Sequence, residues 1–166
     1  MDVVVRHVFI KDLTEQDIQA ISGMMKQLDT DLDQIINTSF NLRCSVYDQN
    51  WYKFYSSNYQ QNAIETNEIS MGFSIASVED ISVGYVFWSE SGNFQNGIQF
   101  NDIFVDPAWR RKGIALTMVK ETIQFIKAAL HVTNFELEVF TSNIPARKLY
   151  EKLGFNKQIK TVLLMS

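Results

Sequence analysis

The first part of the chain shows a strand pattern followed by a helical one. Residues 3–10 read VVVRHVFI, and this run of β-branched residues predicts a strand. Thr14, with Asp17 three residues later, forms a capping-box pattern that predicts the start of a helix. Apolar residues at helical spacing continue that helix, namely Ile18, Ile21, Met25 and Leu28, and a second, short helix is predicted from Leu32, Ile35, Ile36 and Phe40.

Strand patterns occupy the middle of the chain. The segments ISMGFSIASV (69–78) and ISVGYVFWSES (81–91) flank Glu79 and Asp80, which predicts a tight β-hairpin. The loop GNFQNG then leads to a further strand, IQFNDIFV (98–105). Strands joined this closely favour antiparallel pairing.

A turn and a helix are predicted next. Asp106 and Pro107 predict a turn that ends the preceding strand. From Gly113 the apolar spacing becomes helical. One apolar stripe is formed by Leu116, Val119, Ile123, Ile126 and Leu130.

The remaining segments predict two strands around one helix. NFELEVF (134–140) predicts a strand, and residues 143–153 predict a helix. Gly154 ends this helix in a left-handed conformation, with Phe155 packing back in a Schellman motif. The segment KQIKTVLLM (157–165) predicts a last strand.

Composition and charge narrow the class of protein. The chain has 166 residues, 46% of them apolar, and a formal net charge of −4. This length can bury one core without a disulfide or a structural metal, so we expect a single domain over residues 1–166. The acidic balance argues against broad nucleic-acid binding, and no apolar run suits a bilayer span or a secretory signal. The single cysteine, Cys44, favours a cytoplasmic location; it is interpreted as a buried hydrophobe, with a catalytic thiol as the alternative.

A cationic turn separates a predicted strand from a predicted helix. Arg110, Arg111 and Lys112 directly precede Gly113, and Ala115 keeps a nearby position small. Free backbone N–H groups at a helix start and the positive end of the helix dipole predict an anion site here. The alternative is a solvated loop with a permissive glycine. Both nucleotide-binding glycine motifs are absent, and without HExxH or paired CxxC no metal is expected.

The pattern Arg110-x-x-Gly113-x-Ala115, preceded by NDIFVDP and followed by NIPARKLYEKLGF, resembles the GNAT-type N-acetyltransferase superfamily. The resemblance covers residues 98–155. It implies an α/β fold with a central mixed, mostly antiparallel sheet of six to seven strands flanked by about four helices. It also implies transfer of an acetyl group from acetyl-CoA to a primary amine of a small molecule or a peptide. The amine would attack the bound thioester directly, in a ternary complex.

The resemblance also implies roles for the turn and for the strand before it. Backbone amides of the turn bind the pyrophosphate of acetyl-CoA in this family. The pantetheine arm pairs with the edge of a strand that splays from its parallel neighbour, and one amide of that strand, here Val105, polarises the thioester carbonyl. The implied cofactor-binding residues are Ile103, Phe104, Val105, Arg110, Arg111, Lys112, Gly113, Ile114, Ala115 and Leu116.

Asn143 and Tyr150 match the family pattern N-x-x-A-x-x-L-Y-x-x-x-G-F. The resemblance implies that Asn143 contacts the cofactor arm and that Tyr150, a catalytic residue, directs its hydroxyl to the leaving sulfur. The structural alternatives are an ordinary N-cap for Asn143 and a half-buried aromatic for Tyr150. Hydrogen bonding to the thiolate is expected rather than full proton transfer, because transfer from a phenol near pKa 10 to a thiol near 8.5 costs about 2 kcal/mol.

The general base has several candidates. Many relatives carry a Glu where this chain has Asn101, and the next residue, Asp102, is the catalytic candidate. Alternation places the Asp102 side chain with Phe100 and Phe104, opposite Asn101, unless a bulge re-aims it. Glu138 is the fallback, with a surface acid as the alternative. Deprotonation at pH 7 costs about 4.6 kcal/mol for a lysine-like amine but about 1.4 for an α-amine, so water could suffice for the second.

One aromatic segment bears on the acceptor. Residues 48–62, predicted to be helical, contain Trp51, Tyr52, Phe54, Tyr55 and Tyr59. These side chains would wall an acceptor cleft and hold a cationic amine; alternatively they are core or dimer surface, which leaves a homodimer open. His7 and His131 are interpreted as structural or solvated.

The expected partners are acetyl-CoA and an amine acceptor, with no nucleic acid and no membrane. Two other classes of function compete with the enzyme. One is a non-catalytic acyl-CoA-binding regulatory module, which would keep the cofactor cradle without turnover. The other is an interaction domain with a cationic loop, which would bind no cofactor.

Overall fold

The computed structural model describes residues 2–36 and 71–157. Cys44, the aromatic segment 48–62 and the last predicted strand lie outside these ranges. The described residues form five strands and three α-helices: β1 (Val4–Phe9), α1 (Glu15–Ile36), β2 (Met71–Val78), β3 (Ile81–Glu90), β4 (Gly97–Val105), α2 (Ile114–Leu130), β5 (Asn134–Leu137) and α3 (Ile144–Lys152).

The strands form one mixed sheet in the order β1-β2-β3-β4-β5. The first three pairings are antiparallel, and β4 and β5 are parallel. The predicted α/β class with a mostly antiparallel sheet is therefore confirmed. The predicted counts of six to seven strands and four helices are not, because the described residues contain five strands and three helices.

Helix α1 is longer than predicted. It runs without a break from Glu15 to Ile36, so the separate second helix predicted from Leu32 onwards is wrong within the described residues. The stretch between the two apolar groups contains no glycine or proline that would end a helix. Gln27 Nε2 donates to Asp31 Oδ1 at 2.9 Å, an i, i+4 bond that supports continuity there.

The N-terminus of α1 has the predicted cap. Asp17 Oδ2 accepts hydrogen bonds from the Thr14 backbone N–H at 3.0 Å and the Thr14 hydroxyl at 2.8 Å. The Asp17 N–H donates back to Thr14 Oγ1 at 3.2 Å. Arg6 of β1 forms an ion pair with the same carboxylate, which ties the cap to the sheet.

The β2–β3 connection is the predicted tight hairpin. Val78 pairs with Ile81, so only Glu79 and Asp80 form the loop. Both have positive φ, 49° and 62°, as a two-residue turn with right-handed strand twist requires.

The core has two layers, one on each face of the sheet. The α1-side cluster and the α2-side cluster are defined by their buried residues. The α1-side cluster contains Val8, Ile10, Leu13, Ile21, Met24, Met25, Phe73, Ile75, Tyr85, Phe87 and Phe104. The α2-side cluster contains Ala76, Val78, Val83, Val86, Trp88, Ile98, Phe100, Val105, Ile114, Met118, Val119, Ile126 and Val132.

Helix α2 buries a slightly different face from the predicted stripe. Val119 and Ile126 are buried as predicted, whereas Leu116, Ile123 and Leu130 are half-buried at the flanks. The rest of the buried face consists of Ile114, Met118 and Thr122. The Thr122 hydroxyl donates to the Met118 carbonyl at 2.7 Å, which lets a polar side chain occupy an apolar face.

Candidate active site

The site is built where β4 and β5 separate. Their parallel pairing runs from Gly97↔Asn134 to Phe100↔Leu137, where β5 ends, while β4 continues to Val105. The predicted strand 134–140 is therefore too long, because residues 138–140 lie beyond β5. The splay implied by the resemblance is present among the described residues.

A β-bulge explains the separation. On β3, Phe87 pairs with Asp102 and the next residue, Trp88, pairs with Phe100, so Asn101 is an extra residue in β4. A bulge bends the strand that carries it. The bend begins directly after Phe100, the last residue of β4 that pairs with β5.

The same bulge re-aims the candidate base. Phe100 belongs to the α2-side cluster and Phe104 to the α1-side cluster, although they are an even number of residues apart. Strict alternation therefore fails here, and Asp102 shares a face with Phe104 but not with Phe100. Asn101 Nδ2 donates to Ser89 Oγ at 2.9 Å. Since Ser89 lies two residues after Phe87 of the α1-side cluster, Asn101 reaches the face of Asp102 instead of the opposite one.

The backbone of β4 presents selected groups to the open side. The Asp106 N–H donates to the Val83 carbonyl at 2.9 Å, which directs the backbone groups of Asp106, and by alternation those of Phe104, towards β3. The N–H groups of Ile103 and Val105 then face the side on which β5 has ended. Of the three implied pantetheine-binding residues, two thus offer backbone groups to that edge.

Asp102 and Tyr150, the two predicted catalytic residues, lie within electrostatic reach of each other. Asp102 is buried, with 6% of its surface exposed. Burial and, to a smaller extent, the charge of Asp102 raise the pKa of Tyr150 to about 12. The phenol is therefore protonated across the neutral range and can act as a hydrogen-bond donor. Transfer of its proton to a thiolate near 8.5 would cost about 5 kcal/mol.

A Schellman motif places Tyr150, as predicted. Gly154 has a φ of +92°, and the Phe155 N–H donates to the Tyr150 carbonyl at 2.9 Å. The Gly154 N–H donates to Glu151 O at 3.1 Å. The Phe155 ring packs between Tyr150 at 6.2 Å and Phe100 at 6.1 Å, measured between ring centroids. These inclined ring contacts connect the end of α3 to β4 beside the bulge.

Asn143 is the N-cap of α3. Its Oδ1 accepts a hydrogen bond from the Ala146 N–H at 3.3 Å. The N-cap interpretation is confirmed, and the contact with the cofactor arm remains a prediction. The cap uses Oδ1, so it does not occupy the amide Nδ2 that the second role would need.

The turn before α2 has the form of an anion cradle. Gly113, the N-cap of α2, has a φ of +83°, and no side chain among the described residues caps this helix end. The first bond of the helix runs from Thr117 N to Gly113 O at 3.1 Å, so the N–H groups of residues 114–116 lack helical acceptors. A Cβ added at Gly113 would meet no atom of residues 2–36 or 71–157 within 4 Å, so these residues leave open space beside this backbone. These residues fit a bound phosphate.

Two cationic side chains of the turn contact the protein itself. Arg110 Nε donates to Val105 O at 2.7 Å, and its guanidinium forms an ion pair with Asp31 of α1. Lys112 Nζ donates to Ala108 O at 3.2 Å and lies 4.6 Å from the centre of the Trp109 ring. The turn therefore presents mainly backbone N–H groups, together with the exposed Arg111, to an anion.

The other candidate residues take structural or surface positions. His7 Nδ1 lies 2.8 Å from Ser74 Oγ, and the ring stacks on Phe125 at 4.4 Å. Burial lowers the pKa of His7, as a structural role predicts. His131 is exposed at the C-cap of α2, and Glu138 is exposed beyond β5.

In residues 2–36 and 71–157, no group of three or more His, Cys, Asp or Glu side chains is arranged to hold a metal ion. None of the helices in the described part of the chain is both long and apolar enough to cross a membrane.

Sequence analysis missed two residues near the site. Asp31 meets Arg110 across a separation of 79 residues, and Ser89 meets Asn101 across 12. Neither contact has a local sequence signal, because each depends on how α1 and the bulge are placed. The sequence shows that the turn is cationic and that the end of α1 is rich in acids, but it does not show that Arg110 pairs with Asp31.

Comparisons with known proteins agree with this geometry. A family model described as the acetyltransferase (GNAT) family matches residues 32–155. The chain is 31% identical over 136 residues to an N-alpha-acetyltransferase of Saccharolobus solfataricus, which covers 76% of this chain and 75% of that protein. It is also 42% identical over 53 residues to the L-amino acid N-acetyltransferase of Escherichia coli, which covers 32% of this chain and 33% of that protein.

A solved structure shares the fold. It is the PaiA N-acetyltransferase from Thermoplasma acidophilum in complex with coenzyme A, with a TM-score of 0.68 at 16% identity over 92% of this chain and 89% of that one. The fold similarity is independent of the sequence matches, because the identity is low. The family match and the related N-alpha-acetyltransferases identify an acetyltransferase enzyme, and the chain belongs to the acetyltransferase (GNAT) family.

Proposed function

We propose that this enzyme transfers the acetyl group of acetyl-CoA to an α-amine, at the N-terminus of a peptide or protein or on a free amino acid. The observation that carries the proposal is the open edge of β4 at Val105 next to the uncapped start of α2 at Gly113. Acetyl-CoA bound along this edge would place its thioester carbonyl next to the Val105 N–H and its phosphates in the cradle.

The residues divide the work as follows. Backbone N–H groups of residues 111–116 hold the pyrophosphate, and Ile103 and Val105 pair with the pantetheine arm. The Val105 N–H donates to the carbonyl oxygen as negative charge develops there, and the Tyr150 hydroxyl donates to the leaving sulfur. Asn143 contacts the arm through Nδ2. Acetyl-CoA supplies the acetyl thioester that the amine attacks.

The reaction forms one bond to the acetyl carbon and breaks one. The amine nitrogen attacks the acetyl carbonyl carbon, a C–N bond forms, and the C–S bond breaks to leave the thiolate of coenzyme A. The ammonium form first loses one proton to give the attacking amine, and the nitrogen loses a second proton as the amide forms. Asp102 or water molecules accept these protons, and the Tyr150 proton remains on the phenol oxygen throughout.

The α-amine is favoured over a lysine side chain by its acidity. Asn101 carries no charge, and the remaining carboxylate at this bulge, Asp102, is buried. An α-amine near pKa 8 costs only about 1.4 kcal/mol to deprotonate at pH 7, so it needs little help from a base. The names of two relatives, an N-alpha-acetyltransferase and an L-amino acid N-acetyltransferase, support the same class.

We also propose that residues 1–166 form one acetyltransferase domain and that it works in the cytoplasm. The two core clusters share a single sheet, which supports one domain. The single cysteine of the chain suits a reducing compartment.

An amine panel tests the acceptor class. Three sets of amines are incubated with acetyl-CoA: peptides with a free N-terminus, the same peptides with a blocked N-terminus and a free lysine, and free amino acids. We expect kcat/KM for the free N-termini or the amino acids to exceed that for the lysine peptides at least tenfold at pH 7, because the deprotonation costs differ by about 3 kcal/mol. Release of free thiol is the readout. A preference for the lysine peptides would contradict the proposed class.

A further inference from the structure

We propose that Arg110 is a positioning residue, held by Asp31 of α1, that grips the carbonyl of Val105 and thereby aims the Val105 N–H at the open edge of β4. The inference rests on the proposed function for its catalytic consequence. It differs from the role implied by the resemblance, in which Arg110 contributes to cofactor binding.

Val105 directs its backbone groups to the side of β4 away from β3. In an extended strand the N–H and C=O of one residue leave the backbone on the same side, and neighbouring residues alternate. Asp106 N–H bonds to Val83 O, so Val105 points both of its groups away from β3. Within the described residues, β5 has already ended at Leu137, which leaves the end of β4 without a strand on this side.

Arg110 supplies a hydrogen bond to Val105 in place of the absent neighbouring strand. Its Nε donates to Val105 O at 2.7 Å, which restricts rotation of the peptide that follows Val105. The carbonyl and the N–H of Val105 belong to neighbouring peptide units, and the N–H unit is shared with Phe104, which pairs with β3. With that unit held by the sheet, the Arg110 bond to the carbonyl restricts ψ of Val105 and so limits the movement of the whole residue, its N–H included. Arg110 thus takes the place of the hydrogen bond that a neighbouring strand would make to Val105, the residue that would polarise the thioester.

Arg110 is itself held by neighbouring groups. Its guanidinium pairs with Asp31 Oδ2, while Asp31 Oδ1 accepts from Gln27 Nε2 at 2.9 Å. The guanidinium carbon lies 5.6 Å from the centre of the Phe104 ring. One planar group is therefore fixed by a carbonyl, a carboxylate and an aromatic ring.

The exposure and the charge of Arg110 favour a positioning role over a role in stability or in phosphate binding. The Arg110 side chain is 42% exposed and that of Asp31 is 16% exposed, and an ion pair with such access to solvent adds little to the free energy of unfolding. A guanidinium already paired with a carboxylate is also a weaker partner for phosphate. The adjacent backbone N–H groups of the turn can bind the phosphate instead.

The kinetic test uses Arg110→Ala, Arg110→Gln, Asp31→Asn and the double variant of Arg110→Ala with Asp31→Asn. Lys120→Ala, which removes an exposed cation of α2, is the matched control. We expect Arg110→Ala to lower kcat about ten- to a hundredfold with the Kd for acetyl-CoA within about threefold, because the Val105 bond strengthens in the transition state. Arg110→Gln retains a donor and should lose less. Asp31→Asn should lose about three- to tenfold, and the double variant no more than Arg110→Ala alone.

A second measurement needs no turnover. The ¹⁵N order parameter of the Val105 amide is compared between the free wild-type protein and each variant, with Val86 in the centre of β3 as the internal control. We expect Val105 to fall from about 0.85 to below about 0.6 in Arg110→Ala and to fall partly in Asp31→Asn, while Val86 is unchanged.

The outcomes separate this inference from the proposed function. A tenfold or greater rise in the Kd for acetyl-CoA with unchanged kcat would make Arg110 a phosphate contact and overturn the positioning role. An unchanged order parameter at Val105 in both variants would also overturn it. If the wild-type enzyme acetylates no α-amine, the proposed function fails while the order-parameter measurement still decides the inference. If Arg110→Ala does not fold, Arg110→Gln and Asp31→Asn carry both measurements.

Discussion

At the scale of single residues, Tyr150 and Asp102 are the proposed catalytic residues, and the charge of Asp102 acts on Tyr150. The raised pKa of about 12 keeps the Tyr150 phenol protonated, and Asp102 is buried close enough to contribute to that shift. A donor that never loses its proton at neutral pH can stabilise a thiolate but is poorly suited to protonate it fully. This distinction leads to a definite kinetic expectation.

Tyr150→Phe keeps the ring and its packing against Phe155 but removes the hydroxyl. A hydrogen bond to a charged group contributes about 1.5 to 3 kcal/mol, so kcat should fall about ten- to a hundredfold while the Kd for acetyl-CoA changes little. Steady-state kinetics and calorimetry measure the two quantities. Tyr85→Phe, which removes a hydroxyl from the α1-side cluster, is the control. Weaker cofactor binding with unchanged kcat would instead show that Tyr150 is a binding residue.

At the scale of elements, short devices at the ends of helices and strands decide where the site residues lie. The bulge at Asn101 bends β4 away from β5 and moves Asp102 to the α1 side. The cap at Thr14 and Asp17 fixes the start of α1, the helix that carries Asp31. The sequence identifies the cap but not the bulge, because asparagine is compatible with regular strand as well as with a bulge.

Asp17→Asn tests the cap and its pH dependence. Burial alone would raise the pKa of Asp17, but the hydrogen bonds from Thr14 and the charge of Arg6 hold it below its usual value of 3.8. A lowered pKa means that the ionised carboxylate contributes stability above pH 3.8, which is lost as the pH falls through the folded pKa. We expect the substitution to lower the free energy of unfolding by about 1 to 2 kcal/mol at pH 7.

Urea unfolding at several pH values measures this difference. The gap between the wild-type protein and Asp17→Asn should narrow as the pH falls below 3.8 and through the lower pKa of folded Asp17, because the carboxyl becomes neutral in the folded protein only below that pKa. Asp12→Asn, which alters an exposed acid just before the cap, should have little effect at any pH. A constant gap across the acid range would mean that the charge of Asp17 does not support the cap.

At the scale of the whole molecule, an acidic chain concentrates open backbone donors at one point. The net charge is −4, yet the turn before α2 presents its N–H groups next to the open space at Gly113. A ligand that binds only the folded state raises its stability by RT ln(1 + [L]/Kd). Binding at this turn should therefore be visible as a change in global stability.

Acetyl-CoA at 100 times its Kd should raise the free energy of unfolding by about 2.7 kcal/mol, which corresponds to about 5 to 10 °C in Tm for a chain of this size. Gly113→Glu should abolish the shift, since it adds bulk and negative charge at the cradle and strains a residue with a φ of +83°. Gly92→Glu, in an exposed loop with open space around it, is the matched control. Differential scanning calorimetry gives both midpoints. A shift that survives in a folded Gly113→Glu variant would contradict the assignment of the cradle.

The sequence by itself determined the features that depend on neighbours along the chain. The Thr14–Asp17 cap, the Glu79–Asp80 hairpin, the Schellman motif at Gly154 and the helix start at Gly113 all arise from hydrogen bonds or φ angles within a few residues. The family signature lies within the same local patterns. These features can be predicted from the sequence because only a few residue types allow them.

Only the tertiary structure decided the features that join distant segments. The end of β5 at Leu137 and the bulge at Asn101 depend on which strand lies opposite, and that choice is made by packing across the whole sheet. The Arg110–Asp31 pair and the approach of Asp102 to Tyr150 follow from it. Periodicity along a chain describes one element at a time, so it indicates which residues are buried but not which residues meet.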